Sequence, residues 1–477
     1  MGYARVRQLY LRYLSWSGQV TIMAKKIIVI GSGAAGMSAA SAARETDPEA
    51  EITVYTDDVD VAYSPCMIPW VLGGKSSWDG MIMHTPEWYA KERNITIRTA
   101  THVEAAAWDM PRGAPVVKNI TVDGKTVEYD KLILATGGKV FIPPIAGTDL
   151  PGVFTIRTVK GGKEIEAYIK DRKKIVIAGA GVIGLELAYE LVGAGKDVTV
   201  IEMMDQVIPR IADKDMADPI QAYLESIGVK FVMKAPVQAV NGNGKVESVS
   251  SLGVDYPCDA VIFATGVRAN TDLAMMIGLD IGQLGALVAA PTLQAYKNGR
   301  LVPDVYVCGD VMQCQSAVYP GPTMSQLGSS AVREGRVAGI NAAGGDAKFG
   351  PVVAPWVSVI GDMQIAGTGM SLGLASWYGA KLASGKASGY SRARYFPGHK
   401  ELTVKLMADA ATHRLVGAQI ISGEDATGRI NWITSAVLNG MTAEEFIVQA
   451  ENAYCPPTSM VRDVVLQAAD ELVRNLQ

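Results

Sequence analysis

Two glycine-rich segments with the spacing Gly-x-Gly-x-x-Gly have the residue types that bind the pyrophosphate of a dinucleotide. They are GSGAAG at residues 31–36, called the first clamp, and GAGVIG at residues 179–184, called the second clamp. The first glycine of such a turn permits the bend, the second lets the backbone approach the phosphates, and the third lets the following helix pack close to the strand. The candidate binding residues are Gly31, Gly33, Ala34, Ala35 and Gly36 in the first clamp and Gly179, Gly181 and Gly184 in the second.

An acidic residue near the end of the next strand would complete each clamp, because a carboxylate there binds ribose hydroxyls. Asp57 follows EITVYT after the first clamp, and Glu202 ends VTVIE after the second. A carboxylate at Glu202 repels the 2′-phosphate of NADP, so we predict that NADH is preferred over NADPH. Arg210 is near enough in sequence to oppose this preference. Two clamps in one chain predict two bound dinucleotides with electron transfer between them.

Cys66 is a single cysteine downstream of the first clamp, in the sequence SPCMIPWVLGG, and could receive those electrons. The residue five positions later is Val71, so no resolving thiol lies at that spacing. Two interpretations stay open: a redox-active thiol with a lowered pKa, or a small buried hydrophobic residue. Three other cysteines fit the second interpretation, namely Cys258, Cys308 and Cys314.

The composition and charge disfavour several classes of protein. A chain of 477 residues with 49% hydrophobic and 19% charged residues fits roughly three globular domains. A net charge of −4 argues against nucleic acid or an anionic membrane as the main partner. Five separated cysteines without a CxxC motif predict a reducing, cytoplasmic location and no metal or iron–sulfur site. No apolar run reaches the roughly 20 residues that span a bilayer. Residues 1–22 lack the parts of a signal peptide, which favours an upstream-start extension or a disordered tail.

The chain repeats one order of elements around the two clamps. A strand, a clamp, a helix and a second strand are followed by a hairpin and a buried strand ending in ATG. Apolar strands alternating with helices predict parallel, doubly wound sheets. After residue 355 the pattern changes to alternating strands and amphipathic helices without a phosphate loop. We therefore predict an α/β protein with two Rossmann-like nucleotide-binding domains and a C-terminal α+β domain.

From residue 23 onward, the order of motifs resembles that of the pyridine nucleotide–disulfide oxidoreductases. The matching motifs are the two clamps, the two ATG strands and the DVYVCGD segment. The resemblance implies FAD in the first clamp and NAD(H) in the second. It implies an FAD-binding domain at 23–150 and 271–350, an NAD-binding domain at 151–270 and a dimerisation domain at 351–477. Further cofactor-binding residues carried over from the motifs are Ala135, Thr136, Gly137, Gly266, Gly309 and Asp310, of which Asp310 would bind the ribityl chain of FAD.

The Cys66 segment resembles the single-cysteine branch of that family, which includes coenzyme A–disulfide reductases, NADH oxidases and polysulfide reductases. In that branch the cysteine cycles through a mixed disulfide, a persulfide or a sulfenic acid. Glu186 occupies the position of a family glutamate that lies near the flavin, but it could equally be a solvated residue on the surface of a helix. The family glutamate pairs with a lysine, and Lys75 is a loose match to that lysine. The resemblance also implies a homodimer in which Tyr454 protonates a leaving thiolate across the interface, or only packs there.

The predicted activity is therefore electron transfer from NADH through FAD to Cys66, and then to a disulfide, polysulfide, peroxide or oxygen. An alternative is a flavoprotein subunit that passes electrons between NAD and a ferredoxin-like or 2-oxoacid-oxidising partner, with Cys66 inactive. No metal ligand set is predicted in either case. The partners expected are a small thiol, disulfide or other acceptor and a second copy of the chain.

Overall fold

The structure, a computed structural model, describes residues 24–110 and 116–477. The extension predicted at residues 1–22 lies outside this part of the chain. The described residues form two parallel-sheet units and one antiparallel unit, so the predicted α/β class is confirmed. None of the helices in the described ranges has the length and apolar character needed to cross a bilayer.

The first two thirds of the chain alternate strands and helices. The elements as far as the end of the first ATG strand are β1 (Lys26–Ile30), α1 (Ala34–Thr46), β2 (Glu51–Tyr55), α2 (Ile68–Leu72), α3 (Pro86–Arg93), β3 (Thr96–Arg98), β4 (Val103–Asp109), β5 (Val117–Val122), β6 (Lys125–Glu128) and β7 (Lys131–Leu134). The next group is β8 (Gly138–Val140), β9 (Val153–Thr155), α4 (Val159–Ile169), β10 (Lys174–Ala178), α5 (Val182–Gly193), β11 (Asp197–Ile201), α6 (Lys214–Ser226), β12 (Lys230–Val232), β13 (Ala239–Asn241), β14 (Ser248–Ser251), β15 (Val254–Pro257), β16 (Ala260–Phe263) and β17 (Val267–Ala269).

The remaining elements return to the first unit and then form the third. They are α7 (Asp272–Ile277), β18 (Gln294–Lys297), β19 (Arg300–Val307), β20 (Cys314–Gln315), β21 (Pro322–Thr323), α8 (Gly328–Ala343), β22 (Trp356–Ile360), β23 (Met363–Gly369), α9 (Leu372–Tyr378), β24 (Leu382–Tyr390), β25 (Glu401–Asp409), β26 (Leu415–Ser422), α10 (Ala426–Leu438), α11 (Ala443–Gln449) and α12 (Val464–Leu476).

The first sheet has the strand order β18-β19-β7-β1-β2-β3, and all its neighbouring pairs except β18–β19 are parallel. Strands β1 and β7 are almost continuous apolar runs because both faces of the sheet are covered. Ile27 and Leu132 on these strands are fully buried. The second sheet, β12-β11-β10-β16-β9, is entirely parallel and lies between the two stretches of chain that form the first.

Smaller antiparallel ladders accompany these sheets. Strands β5 and β6 form a hairpin in which Val122 pairs with Lys125, so the predicted turn is formed by Asp123 and Gly124. The third unit is an antiparallel sheet in the order β22-β23-β26-β25-β24, with α12 packed on β24 and β25. The predicted domain boundaries after residues 150, 270 and 350 fall in connections between elements.

Helices α1 and α8 pack closely at two glycines of α8. A Cβ atom on Gly335 would lie 2.2 Å from the carbonyl oxygen of Ala35, and one on Gly339 would lie 2.1 Å from that of Ala39. Both positions therefore need glycine to allow the two backbones to touch. This contact brings the segment after β19 against the first clamp, although the two are more than 270 residues apart in sequence.

Candidate functional site

The first clamp is shaped by backbone contacts at its outer glycines. Gly31 has a φ of +111°, and a Cβ atom there would lie 2.1 Å from the carbonyl oxygen of Ala135. A Cβ on Gly36 would lie 1.9 Å from the carbonyl oxygen of Gly31. A Cβ on Gly33, in contrast, would meet no atom within 4 Å. The turn is therefore packed on two sides and open at its middle glycine.

The second clamp repeats this arrangement. A Cβ on Gly179 would lie 2.6 Å from the carbonyl oxygen of Ala264, and one on Gly184 would lie 2.2 Å from that of Gly179. The space beside Gly181 is open within 4 Å. The same division between packed and open glycines therefore occurs in both halves of the protein.

The open side of each clamp has the properties of an anion-binding site. Gly33 and Gly181 are the N-cap residues of α1 and α5, and neither helix has a side-chain cap or an acidic residue in its first turn. The first N–H groups of a helix have no partner within the helix, and they carry the positive end of its dipole. Both clamps thus fit a pyrophosphate. Ala34 is exposed beside Gly33, whereas Ala35 is buried.

Glu202 lies against the second clamp. Its side chain is buried and accepts hydrogen bonds from the backbone N–H groups of Ala180 and Met204, both at 2.8 Å. These contacts fix the carboxylate at the end of β11, next to the turn, as the sequence predicts.

The first clamp differs at the equivalent position. The N–H of Gly179 donates to the carbonyl oxygen of Ile201, the last residue of β11. In the same way, the N–H of Gly31 donates to the carbonyl oxygen of Tyr55, the last residue of β2. The residue that follows is Glu202 in the second clamp and Thr56 in the first. Thr56 accepts a hydrogen bond from the Ser32 hydroxyl at 3.0 Å. Sequence reasoning missed Thr56 because it searched for an acid.

Asp57 is one residue further along the chain. Its carboxylate is exposed and lies 3.0 Å from Nδ1 of His102. The ribose role of Asp57 stays a prediction, and Thr56 occupies the place that corresponds to Glu202. A strand-end residue with a hydroxyl group has no signal in the sequence that would mark it as a ligand.

Arg157 joins the group of residues predicted to bind FAD. Its Nη2 atom donates to Oδ2 of Asp310 at 2.9 Å and lies 3.4 Å from the position a Cβ on Gly137 would take. Thr136 donates its hydroxyl hydrogen to the carbonyl oxygen of Asn270 at 2.7 Å. Gly137, at the end of the first ATG strand, and Asp310, which follows β19, therefore both lie beside the guanidinium group of Arg157. Arg157 could not be recognised from the sequence because it lies in a loop with no motif. Gly266, which ends the second ATG strand and was also predicted to bind a cofactor, is exposed.

Cys66 is exposed and lies in a 3₁₀ turn, Pro65–Met67, that leads directly into α2. The preceding chain is attached to the first clamp, because the N–H of Ala62 donates to the carbonyl oxygen of Ser32 at 3.3 Å. The Tyr63 hydroxyl group also donates to Oδ2 of Asp58, just after β2, at 3.1 Å, which attaches the same chain to the end of that strand. The thiol segment therefore begins at the clamp.

The five cysteines fall into two groups by burial. Cys66 and Cys455 are exposed, whereas Cys258, Cys308 and Cys314 are buried in the core. Burial raises the pKa of the Cys258 thiol to about 12 and raises the pKa values of the other two buried thiols as well. A thiol that stays protonated is a poor nucleophile. Only the exposed pair has the access that thiol chemistry needs.

Helix α2 is connected to the helix of the second clamp. Nζ of Lys75 lies 2.9 Å from Oε1 of Glu190 on α5 and also sits over the ring of Tyr189, 4.6 Å from its centre. The lysine that was loosely matched to Glu186 therefore pairs with Glu190, one helical turn later. Glu186 instead accepts a hydrogen bond from the Ser358 hydroxyl in the third unit. Burial, together with the nearby Glu190 carboxylate, raises the pKa of Glu186.

Tyr454 lies in the loop between α11 and α12 and is exposed. Its hydroxyl oxygen is 2.7 Å from that of Tyr395, and this hydrogen bond raises the pKa of Tyr454. Cys455 follows immediately and is also exposed. Tyr395 was not recognised from the sequence, since the two tyrosines are 59 positions apart.

Comparison with known proteins agrees with this geometry along most of the chain. Residues 25–335 match the pyridine nucleotide-disulphide oxidoreductase family, and residues 355–464 match the dimerisation domain of that family. The chain belongs to the pyridine nucleotide-disulphide oxidoreductases. It is therefore an oxidoreductase and a flavoprotein, and the family implies FAD and NAD(P)H as cofactors. The dimerisation domain supports a homodimer.

Individual relatives are named for different activities. The chain is 42% identical to an NADH oxidase of Methanocaldococcus jannaschii, over 94% of this chain and 99% of that one. It is 32% identical to an NAD(P)H coenzyme A polysulfide/persulfide reductase of Pyrococcus horikoshii, over 94% and 98% of the two chains. Among solved structures, an NAD-dependent persulfide reductase from A. fulgidus matches with a TM-score of 0.86 and 30% identity, over 93% of this chain and 82% of that one. The residues that match the family, 25–335 and 355–464, include both clamps, the Cys66 segment and most of the third unit.

Proposed function

We propose that this oxidoreductase takes electrons from NADH and delivers them through FAD and Cys66 to a small sulfur-containing acceptor, such as a disulfide, polysulfide or persulfide. The observation that carries the proposal is the position of Cys66. Its exposed thiol lies on a segment attached to the first clamp at Ser32 and to the second-clamp helix through Lys75 and Glu190. A thiol between two nucleotide sites, open to solvent, fits an acceptor that diffuses in.

The chain's own residues would hold each cofactor at its own clamp. The open clamp at Gly33 would bind the FAD pyrophosphate, with Asp310 at the ribityl chain and Arg157 orienting Asp310. The open clamp at Gly181 would bind the pyrophosphate of NADH. Bound FAD would supply the means of converting a hydride donor into a two-electron donor to sulfur.

The nucleotide preference rests on Glu202. Its carboxylate is buried and held by two backbone N–H groups, so it cannot rotate away from the adenosine ribose. A 2′-phosphate in this place would bring two negative groups together in a partly desolvated site, which is unfavourable. We therefore propose NADH as the physiological donor.

The second subunit would supply the proton for sulfur chemistry. The hydrogen-bonded hydroxyl groups of Tyr395 and Tyr454 lie on the exposed surface of the dimerisation domain. In a two-fold dimer this pair would face the partner's thiol segment, and a phenol would protonate the thiolate that leaves when Cys66 is attacked or released. The raised pKa of Tyr454 keeps its hydroxyl group protonated at neutral pH, as a donor must be.

Two relatives support different acceptors, a polysulfide or persulfide for one and oxygen for an oxidase. Both reactions can use a single cysteine, through a persulfide or mixed disulfide in one case and a sulfenic acid in the other. The exposure of Cys66 favours these over the alternative of an electron-carrying subunit, in which the thiol has no role.

Anaerobic titration with NADH tests the proposal. As-isolated protein should contain one FAD and should consume about two equivalents of NADH, because FAD and an oxidised Cys66 each take two electrons. Cys66→Ser should consume about one equivalent. Cys455→Ser, which removes the other exposed thiol, is the matched control and should still consume about two. Consumption of one equivalent by all three proteins would support the electron-carrier alternative instead.

A further inference from the structure

Glu334 is a fully buried carboxylate in the middle of α8, and the proposed reaction gives it no role. Its Oε2 atom accepts a hydrogen bond from the N–H of Gly309 at 2.6 Å, and its Oε1 atom accepts one from the Cys314 thiol at 3.3 Å. Both donors are neutral. A carboxylate without a cation beside it is costly to keep ionised in a protein interior.

The surroundings of Glu334 favour a protonated form near neutrality. Burial and the negative charge of Asp310 raise its pKa to about 7, while the hydrogen bonds from Gly309 and Cys314 and the charge of Arg333 act in the opposite direction. The Asp310 carboxylate is itself hydrogen-bonded to Arg157. At physiological pH, small changes in the local charge would therefore change how many Glu334 side chains carry a proton.

Glu334 also lies directly behind the residues assigned to FAD. Gly309 has a φ of +82°, and a Cβ there would lie 2.9 Å from Cβ of Ala35 in the first clamp. The next residue along α8, Gly335, touches the carbonyl oxygen of Ala35. The side chain of Glu334 thus holds the turn between β19 and Asp310 while that turn touches the clamp.

We propose that Glu334 is a redox-linked proton acceptor, which takes up a proton from solvent when negative charge is added at the flavin site. This inference rests on the proposed function. In the balanced step, a hydride from NADH would bring two electrons and one proton to bound FAD, which would leave NAD⁺ and one added negative charge at the flavin site. One further proton moves from water to the Glu334 carboxylate and forms a neutral carboxylic acid, so the total charge of the buried site does not change.

The test counts protons in the FAD-containing enzyme. Cys66→Ser serves as the background, so that protons bound or released by the reactive thiol do not contribute. Anaerobic NADH is added in weak buffer with a pH indicator, between pH 6 and pH 9. If the added charge raises the pKa of Glu334 by about one unit, uptake should peak at roughly half a proton per FAD between pH 7 and 8. Glu334→Gln in the same background should abolish this uptake, since an amide of similar shape can accept from Gly309 and donate to the Cys314 sulfur but cannot take up a proton.

Two further sets of variants identify the group that binds the proton. Cys314→Ser replaces the thiol with a stronger hydrogen-bond donor, which stabilises the carboxylate, so the uptake peak should move to lower pH. Cys314→Ala removes the donor and should move the peak to higher pH. Glu186→Gln removes another carboxyl whose pKa is raised by burial and should leave the uptake in place. If Glu334 has only a structural role, the pH of maximal uptake should be the same in both Cys314 variants as in the background protein.

The outcomes are distinct. Equal uptake in the background and in Glu334→Gln, or loss of uptake in Glu186→Gln instead, overturns the inference while the proposed function stands. If Glu334→Gln does not retain FAD, the two Cys314 variants test the inference, because their uptake peaks should shift to opposite sides of the background peak. An unchanged peak in both variants would overturn the inference. Wild-type protein that contains no FAD would overturn the proposed function, and this inference with it.

Discussion

Replacing Gly181 with alanine should separate nucleotide binding from folding. Gly181 has a φ of −72° and a ψ of 176°, an extended conformation that alanine also adopts, and the new Cβ would meet no protein atom within 4 Å. Alanine is a poorer N-cap than glycine, but it lowers the entropy of the unfolded chain, and the two effects partly cancel. The free energy of unfolding should therefore change by less than about 1 kcal/mol.

The same open space is where the NADH pyrophosphate must approach the backbone. A methyl group there would displace the phosphate and lengthen its charge-assisted hydrogen bonds, each of which contributes about 1.5–3 kcal/mol. Loss of the equivalent of one such bond, about 1.5–3 kcal/mol, corresponds to NADH binding that is about 10- to 150-fold weaker. FAD should stay bound, because it is assigned to the first clamp.

Stopped-flow reduction of the flavin at increasing NADH concentrations measures this effect, with the FAD content and melting temperature determined beside it. Gly193→Ala is the matched control, since it adds a methyl group in open space at the other end of α5. It should keep wild-type NADH affinity and gain about 0.5–1 kcal/mol of stability. Wild-type NADH affinity in Gly181→Ala would refute the assignment of the second clamp.

Four further outcomes follow from the site. Cys66→Ser should keep NADH-driven flavin reduction and lose at least about 100-fold in turnover with disulfides and polysulfide, measured in steady state; equal turnover would assign the cysteine to packing. Glu202→Ala should lower the ratio of NADH to NADPH specificity by roughly tenfold, as the ratio of kcat/KM values, and an unchanged ratio would mean that another group sets it. Tyr454→Phe should lower disulfide turnover roughly 100-fold without slowing flavin reduction, and full activity would exclude proton donation by this group. Glu334→Gln should raise the melting temperature at pH 8 but not at pH 4. The native state raises the pKa of Glu334 from 4.5 to about 7, so the wild-type free energy of unfolding falls by up to about 3 kcal/mol as pH rises through that range. Parallel pH profiles of stability for both proteins would contradict this cost of burying the carboxylate.

The local features of this protein could be predicted from its residues alone. The two clamps could be identified because a strand, a tight turn and a helix N-terminus depend on residues within one short segment, and the glycine positions are set by backbone geometry. The outer glycines are packed against backbone atoms and the middle ones are open, as that geometry requires. The hairpin turn at Asp123 and Gly124 is equally local. The resemblance of the whole motif order then indicated the family and its cofactors.

Which side chains contact one another depends on the tertiary fold. It placed Thr56, not Asp57, in the position equivalent to Glu202, because the end of a parallel strand is set by its register with the neighbouring strands. It paired Lys75 with Glu190 rather than Glu186, a choice that depends on how α2 packs across α5.

Contacts between distant segments were also beyond the sequence. Arg157 and Asp310 are 153 positions apart, and Gly309 and Glu334 meet only because α8 folds back against the first clamp. Such contacts carry no periodic or local pattern, since they result from the packing of whole elements and from the burial that packing imposes. Burial also separated the exposed Cys66 from three core cysteines, a distinction on which the proposed chemistry depends.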